Sequence, residues 1–378
     1  EVGYDITSLI DNTILPHNHY TYTIMAVTES GNVTLADSIE FIPIYPQLSK
    51  REWVPLSLSD ISLEYIFSMG DVSYKDYSLS IRRFSDSYDT GQTMLLDTTQ
   101  IDLLSSVSFI DSIDNANVKE IWHYILKWCN NLYCESDTMK ITTLPFRYMV
   151  LVPGVTNYKY GESDYYEEVS IDSFYMSIYE IPEIYYEDDQ SNNVDIIIEG
   201  IQSLPANKVT WQDAVNYCNN RTMGILGANF INAGNTGFRL PTKHEWEYAA
   251  SYNGSNNDKD YSFRDFDFIN STIANYYNST ENTRKTVGFF DGIHSGTHNA
   301  VSHLGIYDLN GNVMEWCNDK GKFSDETRVC KGGGYLNEGS ECRNKNEFTY
   351  SKDLNHVTIG FRTVLSTNEF LQYWKGEN

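Results

Sequence analysis

The sequence predicts a multidomain chain, with all-β sandwich segments over the first 145 residues and an α+β domain over the remainder. Three observations lead there. Short β-rich runs broken by turn residues recur through the N-terminal part, as in paired antiparallel strands. Beyond residue 146, two segments change to the 3–4 residue apolar spacing of helices. At 378 residues, 41% hydrophobic and 14% aromatic, the chain exceeds one ordinary domain and has ample material for packed cores.

Taken in order, YTYTIMAV (20–27), the turn ESGN (29–32) and SIEFIPI (38–44) read as a hairpin, with alternation on either side of a Gly-Asn turn. A longer series follows: ISLEYIFSMGD (61–71), DYSLSIRRFSD (76–86), TMLLDTTQIDLL (93–104) and WHYILKWC (122–129), spaced as the strands of a sandwich. Cys129 and Cys134 flank a four-residue turn where cross-strand Cβ atoms meet disulfide geometry. A structural bridge is expected there, two buried thiols being the other reading. The first helix runs from Trp211 to about Asn220, with Trp211, Ala214, Val215 and Cys218 at i, i+3, i+4 and i+7 and Thr210 as N-cap. The second begins at Pro241, has a capping box in Thr242 and Glu245, continues through Trp246, Ala249 and Ala250, and ends before Gly254. Residues 368–378, NEFLQYWKGEN, are set apart as a C-terminal tail.

Charge excludes whole classes of function. With 27 basic against 52 acidic residues the formal net charge is −25, and no basic run offers the footprint that phosphate backbones or anionic membranes require. No segment approaches the ~20 apolar residues that cross a bilayer, so neither a nucleic-acid partner nor membrane insertion is expected. No CxxC pair, GxSxG elbow or P-loop is present. His294, His298 and His303 share the loop HSGTHNAVSH, but loop spacing sets no ligand geometry, and solvated histidines are the favoured reading over a catalytic metal.

Two resemblances organise these segments. Residues 1–45 resemble the C-terminal half of a fibronectin type III domain, and residues 46–145 resemble a complete one, on the Gly70–Asp71 turn, LLDTT (95–99) and YILKWCNN (124–131). A half sandwich would expose unpaired edges, so additional upstream domains of the same polypeptide are expected. Residues 146–367 carry MVLVPG (149–154), VSIDSFYMSIYEI (169–181), VTWQDAVNYCN (209–219), GFRLPTKHEWEYAA (237–250), GIYDLNGNVMEWCND (305–319), RVCKGGGY (328–335) and IGFR (359–362). In this order they resemble the formylglycine-generating enzyme/sulfatase-modifying-factor family, a variant of the C-type lectin-like fold.

The second resemblance implies a site and also removes one. The family's oxidases hold copper with two cysteines five residues apart, and a soft Cu(I) ion needs both thiolates. Here the first position is Asn337 and only Cys342 remains, so no enzyme activity and no copper are expected. The resemblance also implies a structural Ca2+ held by the Asp308 side chain, the carbonyls of Gly311 and Val313, and the Glu315 carboxylate, a donor set suited to a hard cation. A second family calcium site begins at Asn275 and Tyr276, but its loop is shortened. Cys218 sits at a bridged family position whose partner is Thr363 here, while Cys317 and Cys330 lie on neighbouring strands and either pair or remain buried thiols.

Residues 334–360 carry a paratope-like mixture: Tyr335, Asn337, Glu338, Glu341, Asn344, Asn346, Phe348, Tyr350, Asn355 and His356. Aromatic rings bring rigid contact area, and amides and acids bring adaptable hydrogen bonds. In variable proteins of diversity-generating retroelements built on this fold, the same segment alters ligand choice. The expectation is a non-catalytic extracellular adhesion protein of a virion or cell surface, whose sandwich stalk presents this tip to a glycan or protein receptor. A structural assembly subunit of a virion or surface filament is the alternative, and a copper-dependent formylglycine-generating oxidase ranks below both. No heptad or collagen repeat specifies an oligomer, so homo-oligomeric and arrayed forms both stay open.

Overall fold

The computed structural model describes residues 20–27, 33–41, 47–56, 60–68, 78–85, 93–95, 106–112, 121–129, 134–142, 144, 148–161, 166–187, 203–254, 259–279 and 281–376. The chain divides into two compact units, Glu1–Pro55 with Ser59–Thr143, and Leu56–Leu58 with Leu144–Asn378. No described helix is long and apolar enough to cross a membrane.

In the first unit β1 (Tyr20–Val27) and β2 (Val33–Phe41) form an antiparallel hairpin, from Tyr20 opposite Phe41 to Val27 opposite Val33. The expected ESGN turn lies outside the described residues, as do the Gly70–Asp71 turn and most of LLDTT. Seven strands follow: β3 (Gln47–Pro55), β4 (Asp60–Ser68), β5 (Ser78–Ser85), β6 (Thr93–Leu95), β7 (Ser106–Ser112), β8 (Ile121–Cys129) and β9 (Cys134–Thr142). They make two sheets, ordered β3-β4-β7 and β6-β5-β8-β9.

Burial alternates as period-two geometry demands: Ile61, Leu63 and Tyr65 on β4, and Trp122, Tyr124, Leu126 and Trp128 on β8, are buried. One polar network joins the two sheets. Arg83 on β5 pairs with Asp111 on β7 at 2.5 Å, and the Tyr124 hydroxyl on β8 donates to the other Asp111 oxygen at 2.7 Å. Burial, then the Asp111 charge, pushes the Tyr124 hydroxyl pKa upward, so it stays a donor. Cys129 stands opposite Cys134 in the β8/β9 register and the two form a disulfide.

The second unit contains β10 (Met149–Val152), β11 (Val155–Tyr160), β12 (Glu167–Ile171), β13 (Phe174–Ser177), α1 (Glu183–Glu187), α2 (Trp211–Ile225), α3 (Gly227–Asn232), β14 (Phe238–Arg239) and α4 (Lys243–Ser251). It continues with β15 (Met314–Gly321), β16 (Ser324–Lys331), β17 (Phe348–Ser351), β18 (Ile359–Gly360), β19 (Val364–Ser366) and α5 (Thr367–Gly376). Its sheets are β10-β13-β19-β14, β11-β12 and β17-β16-β15-β18, the last with β15 and β18 parallel.

Both expected N-caps are present. Thr210 accepts from Asp213 N and Thr242 from Glu245 N, each with the reciprocal carboxylate bond of a capping box. Helix α2 runs past Asn220 to Ile225, because Arg221 and Thr222 are buried and extend its inner stripe. Trp246 on α4 lies fully buried in the main core with Phe174, Met176, Leu309 and Val364.

Two points left open by the sequence are resolved. Residues 367–376 are a helix on their own domain: Phe370 meets Tyr175 edge-on at 5.8 Å, Tyr373 meets Phe230 at 5.1 Å, and Glu369 accepts from Thr236 N. Cys317 and Cys330 are free and buried, as are Cys218 and Cys342. In the β15/β16 ladder Trp316, not Cys317, stands opposite Cys330, so alternation turns the two thiols to opposite faces.

Candidate recognition site

The segment from Asp308 to Glu315 forms a hub beneath the 334–360 loop. Asp308 and Asn312 take positive φ values of 57° and 59°, which short polar side chains tolerate. Between them Gly311, at φ +98°, brings its backbone so close to the Asn275 carbonyl that a Cβ would collide with it. Asn312 then links three segments. Its Nδ2 donates to Glu180 Oε2 at 2.7 Å, and its Oδ1 accepts from Lys285 N at 2.9 Å and Asn275 Nδ2 at 3.0 Å.

Glu315 is buried, and a guanidinium matches its carboxylate. Arg362 Nε and Nη2 donate to its two oxygens at 2.6 Å each, and Trp246 Nε1 adds a bond to Oε2 at 2.7 Å. Arg362 also donates to the carbonyls of Ser177 at 3.0 Å and Tyr307 at 2.9 Å. Burial alone would lower the Arg362 pKa, but Glu315 more than offsets it, and the group stays charged.

Two further acids crowd this pair. Burial, then Asp308 and Glu315, pushes the fully buried Glu180 carboxyl well up, against the pull of Arg362 and the Val313 N–H. Asp308, half-buried and accepting from Gly288 N at 2.6 Å, is raised by burial to about 6. Three carboxyls, Glu180, Asp308 and Glu315, are thus gathered around the single guanidinium of Arg362, and burial draws protons onto the first two. Of the expected calcium ligands, the Asp308 carboxylate accepts a bond from Gly288 N. Glu315 is already committed to Arg362 and Trp246. Among the described residues no group of three or more His, Cys, Asp or Glu side chains is arranged around a common metal position. Asn275, at the start of the expected second calcium site, spends its Nδ2 on Thr283 O and Asn312.

Asn337 and Cys342, which the resemblance matches to the copper pair, are both engaged within the loop. Asn337 Oδ1 accepts from Gly334 N at 3.0 Å, closing the turn after the glycines, and its Nδ2 donates to Glu341 at 3.3 Å. Cys342 is buried on the 3-10 turn Gly339–Cys342, with its thiol donating to the Glu338 carbonyl. Burial, aided by Glu341, pushes this thiol up to about 12, so it remains protonated at neutral pH.

The loop itself divides into inward and outward residues. Asn344 is withdrawn from the expected contact set: it is fully buried, joined to Asn310, and donates to the carbonyls of Ala250 and Lys259. Tyr335 is likewise buried, with its hydroxyl toward Val357 O. Glu338, Asn355 and His356 are exposed, and Asn337, Glu341, Asn346, Phe348 and Tyr350 are half-buried. Phe348 and Tyr350 stack at 6.5 Å on β17, and Asn346 is fixed by its bond to Ser340 O. Tyr277 and Leu336, which the sequence reading passed over, add exposed apolar surface at 39% and 45%, and Tyr277 N donates to Asn337 O. Isolated aromatic and aliphatic residues give no periodic signal, so composition alone had no means of finding them.

The three loop histidines do not converge. His294 pairs with Asp291 and packs on Phe289, His298 packs on Phe266, and His303 is exposed near Lys259 and Arg264.

Comparison with known proteins places this unit. The model of the sulfatase-modifying factor enzyme 1-like domain matches residues 135–367. The chaperone protein LppX of Paenibacillus barcinonensis is 30% identical over 231 residues, covering 50% of this chain and 78% of that protein. Among solved structures, variable protein 1 of Treponema denticola aligns at 19% identity and a TM-score of 0.44, over 61% of this chain and 96% of its own. PvdO of Pseudomonas aeruginosa aligns at 18% identity and 0.44, over 58% and 94%.

Proposed function

Because this chain belongs to the family of sulfatase-modifying factor enzyme 1-like domains, we propose that it is a non-catalytic member that recognises a receptor through the outward residues of the 334–360 loop. The observation that carries this reading is the pair Asn337 and Cys342. A carboxamide stands at the first copper position, and the thiol at the second is buried and protonated. Glu338, Phe348, Tyr350, Asn355 and His356, with Tyr277 and Leu336, supply the receptor contacts. The name of the LppX relative, a chaperone, supports a protein receptor over a glycan at this loop.

Three attendant features belong to the same proposal. Residues 46–145 act as a fibronectin type III-like spacer, a reading supported by the three- and four-strand sheet orders. The protein works outside the cell, on a cell or virion surface. A structural Ca2+ sits at the Asp308 loop, supported by the gathering of Glu180, Asp308 and Glu315 around one guanidinium, that of Arg362. The metal's contribution is to fix this turn under the loop, and it performs no chemistry.

Labelling the native cell or particle with an antibody against residues 334–360 tests the recognition reading. Labelling of the intact outer surface is expected. An epitope that becomes reachable only after dissociation would make the loop an assembly interface. For the metal, millimolar Ca2+ should raise the melting temperature of the wild type over a chelated sample and leave Asp308→Ala unmoved. Equal melting in all four conditions rejects the calcium assignment.

A further inference from the structure

Away from the loop, three tyrosines from distant segments meet at one place. Tyr179 and Tyr307 stack at 5.6 Å with planes 21° apart, and Tyr148 leans on Tyr179 at 6.0 Å. Gly288, at φ +70°, backs Tyr179 so tightly that a Cβ would lie 2.6 Å from its ring. All three rings are half-buried, so the array is supported from behind and still reaches solvent. Among the described residues the single ring contact of Tyr307 is to Tyr179.

Polar groups converge on the same spot from a fixed backbone. Asp291 and Asn299 face each other across an isolated β-bridge. Asp291 takes three donors on Oδ1, namely Ile293 N at 2.7 Å, His294 N at 3.0 Å and His294 Nδ1 at 3.0 Å, which leaves Oδ2 as an unspent acceptor. Asn299 accepts on Oδ1 from the Tyr307 hydroxyl at 3.2 Å and Val301 N at 3.3 Å, which leaves its Nδ2 as an unspent donor. Asn299 is exposed, and Ile293, 88% exposed, adds an apolar shoulder beside Asp291. None of these residues lies in the loop, and only Tyr307 meets the Arg362 pair, through its backbone carbonyl and not its ring.

We infer that Tyr179 and Tyr307, with Asn299 and Asp291, form a subsite for a neutral pyranoside. A pyranose presents an apolar C–H face that lies flat on an aromatic ring, and an edge of vicinal hydroxyls, each of which donates and accepts. An amide donor beside a carboxylate acceptor complements that edge. The ring geometry argues against a cation-binding cage, because rings stacked on each other with centroids 5.6 Å apart leave no room for an ammonium between them. Asp291 and the net charge of −25 argue against an acidic sugar.

The inference is independent of the loop reading, and its test separates the two. Saturation-transfer NMR is run on the full chain with methyl glucoside, galactoside, mannoside and N-acetylglucosaminide. Transfer to the C–H protons of at least one glycoside is expected. It should weaken at least about fivefold, the affinity equivalent of one hydrogen bond, in Asn299→Ala and in Tyr307→Ala. Tyr350→Ala, on the loop, should retain it. Asn299 is exposed, so its truncation keeps the test valid if Tyr307→Ala fails to fold. No transfer to any of the four glycosides, or undiminished transfer in Asn299→Ala, overturns the inference.

Discussion

Replacing Arg362 by Met keeps the side-chain volume and removes the positive charge, which isolates the electrostatic role of the hub. Arg362 is 0% exposed and makes two bonds to Glu315 at 2.6 Å, besides those to the Ser177 and Tyr307 carbonyls. Removing one partner of a buried ion pair costs about 3–5 kcal/mol, and each orphaned carbonyl about 1 kcal/mol more. A total near 6 kcal/mol corresponds to a fall in melting temperature of roughly 12–24 °C for a domain of 150–250 residues. The assay is calorimetry of the full chain, reading the transition of the C-terminal unit. The loss should shrink as pH falls through about 6, where Asp308 takes up a proton and the cluster needs less neutralisation. A fall of less than about 3 °C at neutral pH, or a loss that does not change with pH, would refute the claim that Arg362 neutralises a buried acidic cluster.

Other outcomes follow from the same geometry. The folded pKa of Asp308, about 6, lies above its unfolded value, so its contribution to stability is complete below pH ~4 and lost as pH rises through 6. In chelated buffer the C-terminal unit should therefore melt higher at pH 5 than at pH 7.5, and Asp308→Asn should flatten that slope. Reducing the Cys129–Cys134 disulfide, which closes a very short loop, should cost the N-terminal unit about 2 kcal/mol and leave the C-terminal transition in place, as two resolved calorimetric peaks would show. Asn344→Ala should destabilise by roughly 2 kcal/mol through the orphaned Asn310 network without altering receptor affinity, whereas Tyr350→Ala should do the reverse; paired melting and binding measurements check both.

How much of this was legible in the sequence depended on range. Local signals read well: Thr210 and Thr242 announce their helices because a cap is decided within four residues. The Cys129–Cys134 bridge was equally accessible, since a hairpin register places both ends of a short turn opposite each other. Long-range pairings were not legible. Glu180 and Arg362 reach the Asp308 turn from segments more than 40 residues away, and no period or spacing in the chain couples them. The same limit explains Asn344, whose type suits a surface contact but whose partners, Asn310, Ala250 and Lys259, draw it into the interior. For Cys317 and Cys330 the choice between pairing and buried thiols turned on register: neighbouring strands were foreseen, but a one-residue offset decides which face each thiol occupies. The tail's helix was not legible because a helix this short is stabilised by packing, and its Phe370, Tyr373 and Trp374 spacing means little without a surface to meet.

The most direct test of the central claim is to probe the full chain against arrays of extracellular receptor proteins and glycans, beside Phe348→Ala/Tyr350→Ala and Cys342→Ser variants. The wild type should capture a ligand for which the aromatic pair variant loses at least tenfold in affinity, about 1.4 kcal/mol, and which Cys342→Ser retains once its folding is verified. Ligand capture unchanged by the aromatic pair, or formylglycine formed on a sulfatase peptide with copper and abolished in Cys342→Ser, would contradict the claim.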